Sequence, residues 1–193
     1  MVAEPQLYLT PAAYLDLERH GEEKHEYIDG TLVAMAGGSA NHNRIQFNMI
    51  ANLKPQLRPK GCFGFGSDMR VKSGAYSIYS YPDLSIVCGK PEYGPDRPDT
   101  LLNPILLVEI LSPSTERYDR GKKFAHYRRI PTLAEYVLVA QDAPLIEHYV
   151  RQPDGTWLWA AVEGLAETIT LPTIDCSLPL AEVYDQVEFS TEE

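Results

Sequence analysis

The stretch PDLSIVCGKPEYGPDRPDTLLNPILLVEIL, residues 82–111, decides the fold. Its two ends, LSIVC and ILLVEIL, are apolar and β-branched, whereas residues 89–103 between them are rich in Gly, Pro and Asp. Two such runs read as strands joined by an exposed loop, and the second is so apolar that it predicts a buried, central strand. If the strands pair antiparallel with Cys88 opposite Pro104, Asp83 falls opposite Glu109. A carboxylate buried in an apolar strand needs a partner, because an unpaired charge there is strongly destabilising. A hard divalent cation supplies one: Mg²⁺ favours one or two protein carboxylates, with water and phosphate oxygens filling the remaining positions. Taken singly, each acid has a plainer reading. Glu109 could pair with a base from the following helix, and Asp83 could shape the turn after Pro82.

Working upstream, Thr10-Pro11 is a cap followed by a first-turn proline and predicts a helix to about His20. Asp29-Gly30 between EYI and TLVAM predicts a tight hairpin. From Ser39 to Leu57, Ile45, Met49, Ile50, Leu53 and Leu57 recur at helical spacing, with Pro55 a candidate kink and Pro59 and Gly61 as stops. His42 shares that stripe and reads as a capping or core histidine. The glycines of GCFGFG lack the spacing and following helix of a phosphate-cradling loop, so they belong to strand and turn, before a Gly/Ser/Tyr-rich connection to YPDLSIV.

Downstream, Ser114 to Ile130 predicts a helix capped by Ser114 or Thr115, followed by strands EYVLVA, IEHYVR and TWLWAAV, with Asp154-Gly155 turning the last pair. The helix turns about 100° per residue, which sorts its basic residues onto different sides. Lys123 shares a side with Tyr127 and Ile130 and should point at the sheet, while Lys122 lies with Arg129 toward solvent. A desolvated lysine beside carboxylates can orient or help deprotonate an attacking water. Asp119, four residues before Lys123, is placed to pair with it. Tyr127 reads as a packing residue. The order of elements gives an α/β or α+β fold, one mixed sheet flanked by helices.

The composition is that of a folded protein: 193 residues, 44% hydrophobic and 23% charged, expected to form a single domain over 1–193 with flexible ends at about 1–10 and 188–193. No apolar run is long enough to cross a bilayer and no secretory leader is evident, so a cytoplasmic location is expected. The three cysteines are odd in number and widely spaced, which suggests buried free thiols rather than a disulfide framework or zinc site. A formal charge of −10 opposes nonspecific attraction to nucleic acid. Binding would therefore need a local basic patch, and Arg117, Arg120, Lys122, Lys123, His126, Arg128 and Arg129 supply one.

Together these residues resemble the Uma-type nuclease-like family of the restriction-endonuclease-like, PD-(D/E)XK superfamily. The likeness spans nearly the whole chain and rests on HEYIDGTLVAM, YPDLSIV, LVEILSPST, DRGKKFAHY and AEYVLVA, in that order. It implies a restriction-endonuclease-like fold with Asp83 and Glu109 as metal ligands, the Ile110 backbone carbonyl beside them, Lys123 as the catalytic lysine and Glu26 as a further acidic ligand. The simple superfamily pattern has lysine two residues after the acid, where this chain has Leu111. The lysine is displaced onto the following helix.

Two functions follow as expectations. One is a Mg²⁺-dependent endonuclease, with Mn²⁺ as a substitute, that hydrolyses phosphodiester bonds in nucleic acid, DNA first. A homodimer would suit the cutting of two strands. The other is a noncatalytic binding or regulatory module that keeps the nuclease fold, a reading favoured by the acidic charge and the displaced lysine.

Overall fold

In a computed structural model, residues 8–73 and 78–189 are described; the connection 74–77 and the outermost residues of both termini lie outside them. The first elements follow their local signals. In α1 (Pro11–His20) the Thr10 hydroxyl accepts from the Ala13 N–H at 3.2 Å. The strands β1 (His25–Ile28) and β2 (Thr31–Ala34) pair antiparallel across Asp29 and Gly30, whose φ values of 45° and 94° give the two left-handed positions of a type I′ turn. In α2 (Ala40–Leu57) the Ser39 hydroxyl accepts from the His42 N–H at 3.0 Å, and Ile45, Met49, Leu53 and Leu57 form the buried stripe. Pro55 lies within α2 without ending it, and the chain stops at Gly61, with φ 66°.

The strands that follow are β3 (Cys62–Gly66), β4 (Arg70–Ser73), β5 (Ile78–Ser80), β6 (Leu84–Cys88), β7 (Thr100–Leu101), β8 (Leu106–Ile110), β9 (Glu135–Val139), β10 (Leu145–Arg151), β11 (Trp157–Glu163), β12 (Thr168–Leu171) and β13 (Cys176–Pro179). A six-stranded sheet runs β11-β10-β9-β8-β6-β3, with β8 parallel to β9 and antiparallel to β6. A five-stranded sheet runs β2-β1-β5-β4-β7, and β12 pairs with β13. This is a mixed α+β fold. All five residues of β8 are buried because both faces of its sheet are covered. Ile86, Leu106 and Val108 meet α2, β12, β13 and α5 (Leu180–Val183) on one face; Val87, Leu107 and Leu138 meet Tyr127, Ile130 and Leu133 on the other.

The five-stranded sheet is tied together by buried Arg70. Its guanidinium donates to Thr100 Oγ1 at 3.0 Å and Tyr81 OH at 2.9 Å and pairs with Asp99 at 3.2 Å, while Arg19 of α1 meets the same Asp99 at 2.7 Å. Tyr14, Tyr27 and Tyr79 cluster beside it, Tyr14 stacked on Tyr27 and Tyr79 meeting Tyr27 edge-on.

Four expectations are corrected. Cys62 and Cys88 are not free thiols: they face each other in the β3–β6 pairing with Cα atoms 4.0 Å apart and form a disulfide, leaving Cys176 free and buried. Strand pairing brings them together, which 26 residues of sequence separation conceal. The 89–103 loop is not wholly irregular, since β7 adds to β4 in parallel and Tyr93 bridges Leu101. The helix after β8 is not a uniform α-helix: α3 (Glu116–Tyr118) passes into a π-turn, Asp119–Lys123, and then α4 (Phe124–Tyr127). Thr115 stands at its N-cap, as expected, but makes no side-chain cap bond; the Ser112 hydroxyl accepts from the Thr115 N–H at 3.2 Å. Residue 9 is also tied down, its N–H donating to Gly30 O at 3.1 Å and its carbonyl accepting from Tyr27 OH at 2.6 Å. Among the described residues, no helix is long and apolar enough to cross a membrane.

Candidate active site

The register of β6 and β8 pairs Leu84 with Val108 and Ile86 with Leu106. Continued by one residue, it sets Asp83 opposite Glu109 at the rim of the central strands. Asp83 is 9% exposed and Glu109 4%. Asp83 Oδ2 accepts the Ile110 backbone N–H at 2.7 Å. In an extended strand a residue's N–H and C=O point to the same side, so the Ile110 carbonyl is directed toward the same rim.

Strand alternation turns Glu109 onto the face covered by the helical segment after β8. There Tyr127 OH donates to Glu109 Oε1 at 2.8 Å, and Lys123 Nζ approaches the same oxygen at 2.9 Å. Lys123 also pairs with Glu26 Oε1 at 3.0 Å and with Asp119 Oδ1 at 3.5 Å. The hairpin β1–β2 brings Glu26, the central sheet Glu109, and the π-turn both Asp119 and Lys123. Lys122 remains exposed. The wider turn is a local feature often found where a helix must present a side chain to a functional site.

Asp83, Glu109, Glu26 and Lys123 are therefore neighbours, though not as a ring of acids around one point. Lys123 stands between Glu26 and Glu109, and among the described residues no three His, Cys, Asp or Glu side chains are arranged to hold an ion. Glu26 Oε1 and Asp119 Oδ1 are near the ammonium yet are not aimed for a hydrogen bond.

Anionic groups outnumber the cation, and their protonation equilibria show it. Burial, reinforced by Asp83, Asp119 and Glu26, holds the Glu109 carboxyl well above the usual carboxylate range despite the opposing pull of Lys123. Burial likewise raises Asp119. For Lys123, burial disfavours the charge, but Glu109, Glu26 and Asp119 outweigh it and raise its pKa well above that of a free lysine. Lys123 is thus held in its charged form at neutral pH. Burial raises Tyr127 as well, so the phenol remains a donor to Glu109.

Two groups that sequence pattern did not assign to the site complete it. His42 Nε2 lies 3.0 Å from Asp83 Oδ1, and Gln46, one turn along α2, donates to the Asp83 backbone carbonyl at 2.7 Å. The reading of His42 as a cap or core residue is incomplete: its backbone N–H meets Ser39, but its ring faces Asp83. Gly38 makes room for this ring, since a Cβ there would come within 2.7 Å of His42 Nδ1.

The basic cluster divides. Lys123 is inside, and Arg120 pairs with Glu116 at 3.2 Å and with Glu147, leaving Arg117, Lys122, Arg128 and Arg129 on the exposed side.

The mixed α+β fold carries a buried acid–lysine cluster at the rim of its central sheet. Residues 11–181 match the Uma2 family, described as "Putative restriction endonuclease", and the chain belongs to that family. Two uncharacterized proteins of Synechocystis sp. (strain ATCC 27184 / PCC 6803 / Kazusa) are close in sequence. One, sll1609, is 37% identical over 85% of this chain and 93% of its own length; the other, slr1290, is 36% identical over 94% of each. A crystal structure described as a putative nuclease belonging to DUF820, from Anabaena variabilis ATCC 29413, superposes with a TM-score of 0.75 at 19% identity, covering 93% of this chain and 99% of that one. That likeness is one of fold.

Proposed function

We propose that this chain is a metal-dependent endonuclease that hydrolyses phosphodiester bonds of DNA, with Mg²⁺ as its cofactor and Mn²⁺ as a substitute. The observation that carries the reading is the joining of Asp83 and Glu109 by strand register, with Lys123 2.9 Å from Glu109. The donors fit a hard cation: they are carboxylate oxygens, they are buried, and they carry more negative charge than Lys123 neutralises. Asp83, Glu109 and the Ile110 carbonyl would hold the ion, with Glu26 as a further acidic donor. Bound there, it would stabilise charge developing on the phosphate and make water a better nucleophile.

The chain's own groups do the rest. Tyr127 and Lys123 converge on Glu109 Oε1, which fixes that carboxylate and directs Oε2 to a further partner. The Ile110 N–H and His42 fix Asp83 from two sides. Lys123, held protonated, orients the attacking water and faces the anionic phosphate. Arg117, Lys122 and Arg128 offer phosphate contacts outside the cluster.

Purified protein is expected to cut DNA with Mg²⁺ or Mn²⁺ and to stop in EDTA; cutting that persists in EDTA would exclude the metal. Removing the His42 ring should loosen Asp83 without removing a ligand. His42→Ala is expected to weaken Mn²⁺ binding by about 10–100-fold, with His42→Asn retaining part of it. Equal affinity in both variants and the wild type would assign the ring no positioning role.

One observation favours the second reading, a noncatalytic binding module: Lys123 stands between Glu26 and Glu109 and pairs with both, so these acids are matched by a cation of the chain's own. That reading predicts partner binding that survives loss of Asp83, with no hydrolysis of any nucleic acid.

A further inference from the structure

Two hollows lie end to end between α2 and β3. The first, at the rim of the sheet, is lined by Gln46, Ile50, Phe65, Gly66 and Met69. The second runs on to Gly61 over Leu53, Leu57, Leu84 and Ile86 and has a volume of about 620 Å³. They share Ile50 and Gly66, so they form one trough. Its near end touches the acid–lysine cluster, because Gln46 donates to the Asp83 carbonyl at 2.7 Å and Gly66 pairs with Leu84, the residue after Asp83. Its far end carries Lys54 and Arg58, both exposed. Among the described residues neither side chain makes an ion pair or hydrogen bond, although acids outnumber Lys and Arg in this chain by 27 to 17. The carboxylate that borders the trough, Asp68, is already matched by Lys24. Gly64 keeps the trough open: strand alternation turns it toward α2, and a Cβ there would meet Ile86 Cδ1 at 3.0 Å and Leu84 Cδ1 at 3.4 Å.

We infer that this trough holds an unpaired strand of the nucleic acid whose phosphodiester sits at Asp83 and Glu109, so that the substrate class is single-stranded; the inference rests on the nuclease reading of that site. An apolar floor that ends in unmatched cations suits a ligand with broad apolar faces and an anionic backbone. Base faces are the broad apolar surfaces of a nucleic acid, and a duplex stacks them out of a protein's reach. What a duplex presents instead is mainly phosphate, which a chain of formal charge −10 is poorly equipped to hold along its length. In a single strand, bases lie on Ile50, Leu53, Leu84 and Ile86 while phosphates reach Lys54 and Arg58. From Gln46 to Arg58 the helix rises roughly 18 Å, which leaves room for a few nucleotides between the cluster and the basic end.

Fluorescence anisotropy on the full chain in EDTA, which withholds the metal, reads binding apart from cutting. A labelled mixed-sequence DNA oligonucleotide is expected to bind at least about tenfold more tightly alone than annealed to its complement. Lys54→Ala combined with Arg58→Ala should reduce the slope of log affinity against log salt by about 1.4, the loss of two single-strand phosphate contacts. Gly64→Val, with an unchanged circular dichroism spectrum, should weaken single-strand binding about tenfold and leave that slope as it is. Arg97→Ala, which removes an exposed cation in the loop before β7, should change neither. Equal or tighter binding of the duplex, or a salt slope that the Lys54 and Arg58 substitutions leave unchanged, would overturn the inference; if Mn²⁺ still drives cutting of duplex DNA, the nuclease reading stands without it. A labelled fatty acid that binds and is expelled by Gly64→Val, with no single-strand binding, would assign the trough to an acyl chain and overturn the inference. Absence of both binding and cutting on either form of DNA would overturn the inference and the nuclease reading together.

Discussion

Glu109→Gln is expected to lower metal-dependent DNA cleavage by at least about a thousandfold while leaving the fold intact. The substitution keeps shape and preserves an oxygen for Tyr127 and Lys123, so the loss would reflect charge rather than packing. Asp83→Asn should act in the same way, because the amide oxygen can still accept from the Ile110 N–H but is a poor cation ligand. Stability should move in the opposite direction. Glu109 has a raised folded pKa, so between the ordinary carboxylate value and that raised value the native state binds more protons than the unfolded chain. Metal-free wild type therefore loses stability as pH rises through this window, and Glu109→Gln removes that contribution. Thermal melts in EDTA from acid to neutral pH would show it as a flatter profile for the variant. Cleavage by Glu109→Gln at the wild-type rate would remove Glu109 from the mechanism.

The second large effect belongs to Lys123. Replacement by Met leaves Glu26, Glu109 and Asp119 facing one another in a buried site without their cation. Breaking a buried ion pair by removing one partner costs about 3–5 kcal/mol. At about 2–4 °C per kcal/mol for a chain of this size, the melting temperature in EDTA at neutral pH should fall by roughly 6–20 °C. The deficit should shrink as the pH is lowered and the carboxyls become neutral, and again as Mn²⁺ is added. Cleavage should not recover with the stability, since the ammonium facing the phosphate is gone. A melting temperature unchanged in EDTA would mean that the carboxylates do not depend on Lys123.

Features set by local chemistry were legible in the sequence. The Asp29-Gly30 turn, the Thr10 and Ser39 caps and the α2 stripe all depend on neighbours within one or two turns of chain. The register that sets Asp83 opposite Glu109 follows from pairing the two apolar runs antiparallel with Cys88 opposite Pro104, and the observed pairs Leu84–Val108 and Ile86–Leu106 keep it. The side argument separating Lys123 from Lys122 survived the π-turn, which alters hydrogen bonding within the segment but leaves Lys123, Tyr127 and Ile130 inward.

What failed needed distant parts of the chain. Cys62 and Cys88 meet only once β3 pairs with β6, and β7 is two residues long, too short for any periodicity. His42 lay on a helix already explained by its apolar stripe, and nothing in α2 itself shows that the rim of β6 passes beneath its first turn. The strands β12 and β13 do alternate, TITL and CSLP burying every second residue, but at four residues each the pattern is too short to single out.

Isothermal titration of Mn²⁺ into wild type and Asp83→Ala tests the central claim most directly. Saturable binding to the wild type, lost in Asp83→Ala while its melting temperature in EDTA stays near that of the wild type, is the predicted result. Absence of binding to the wild type, or equal binding to both, would contradict it.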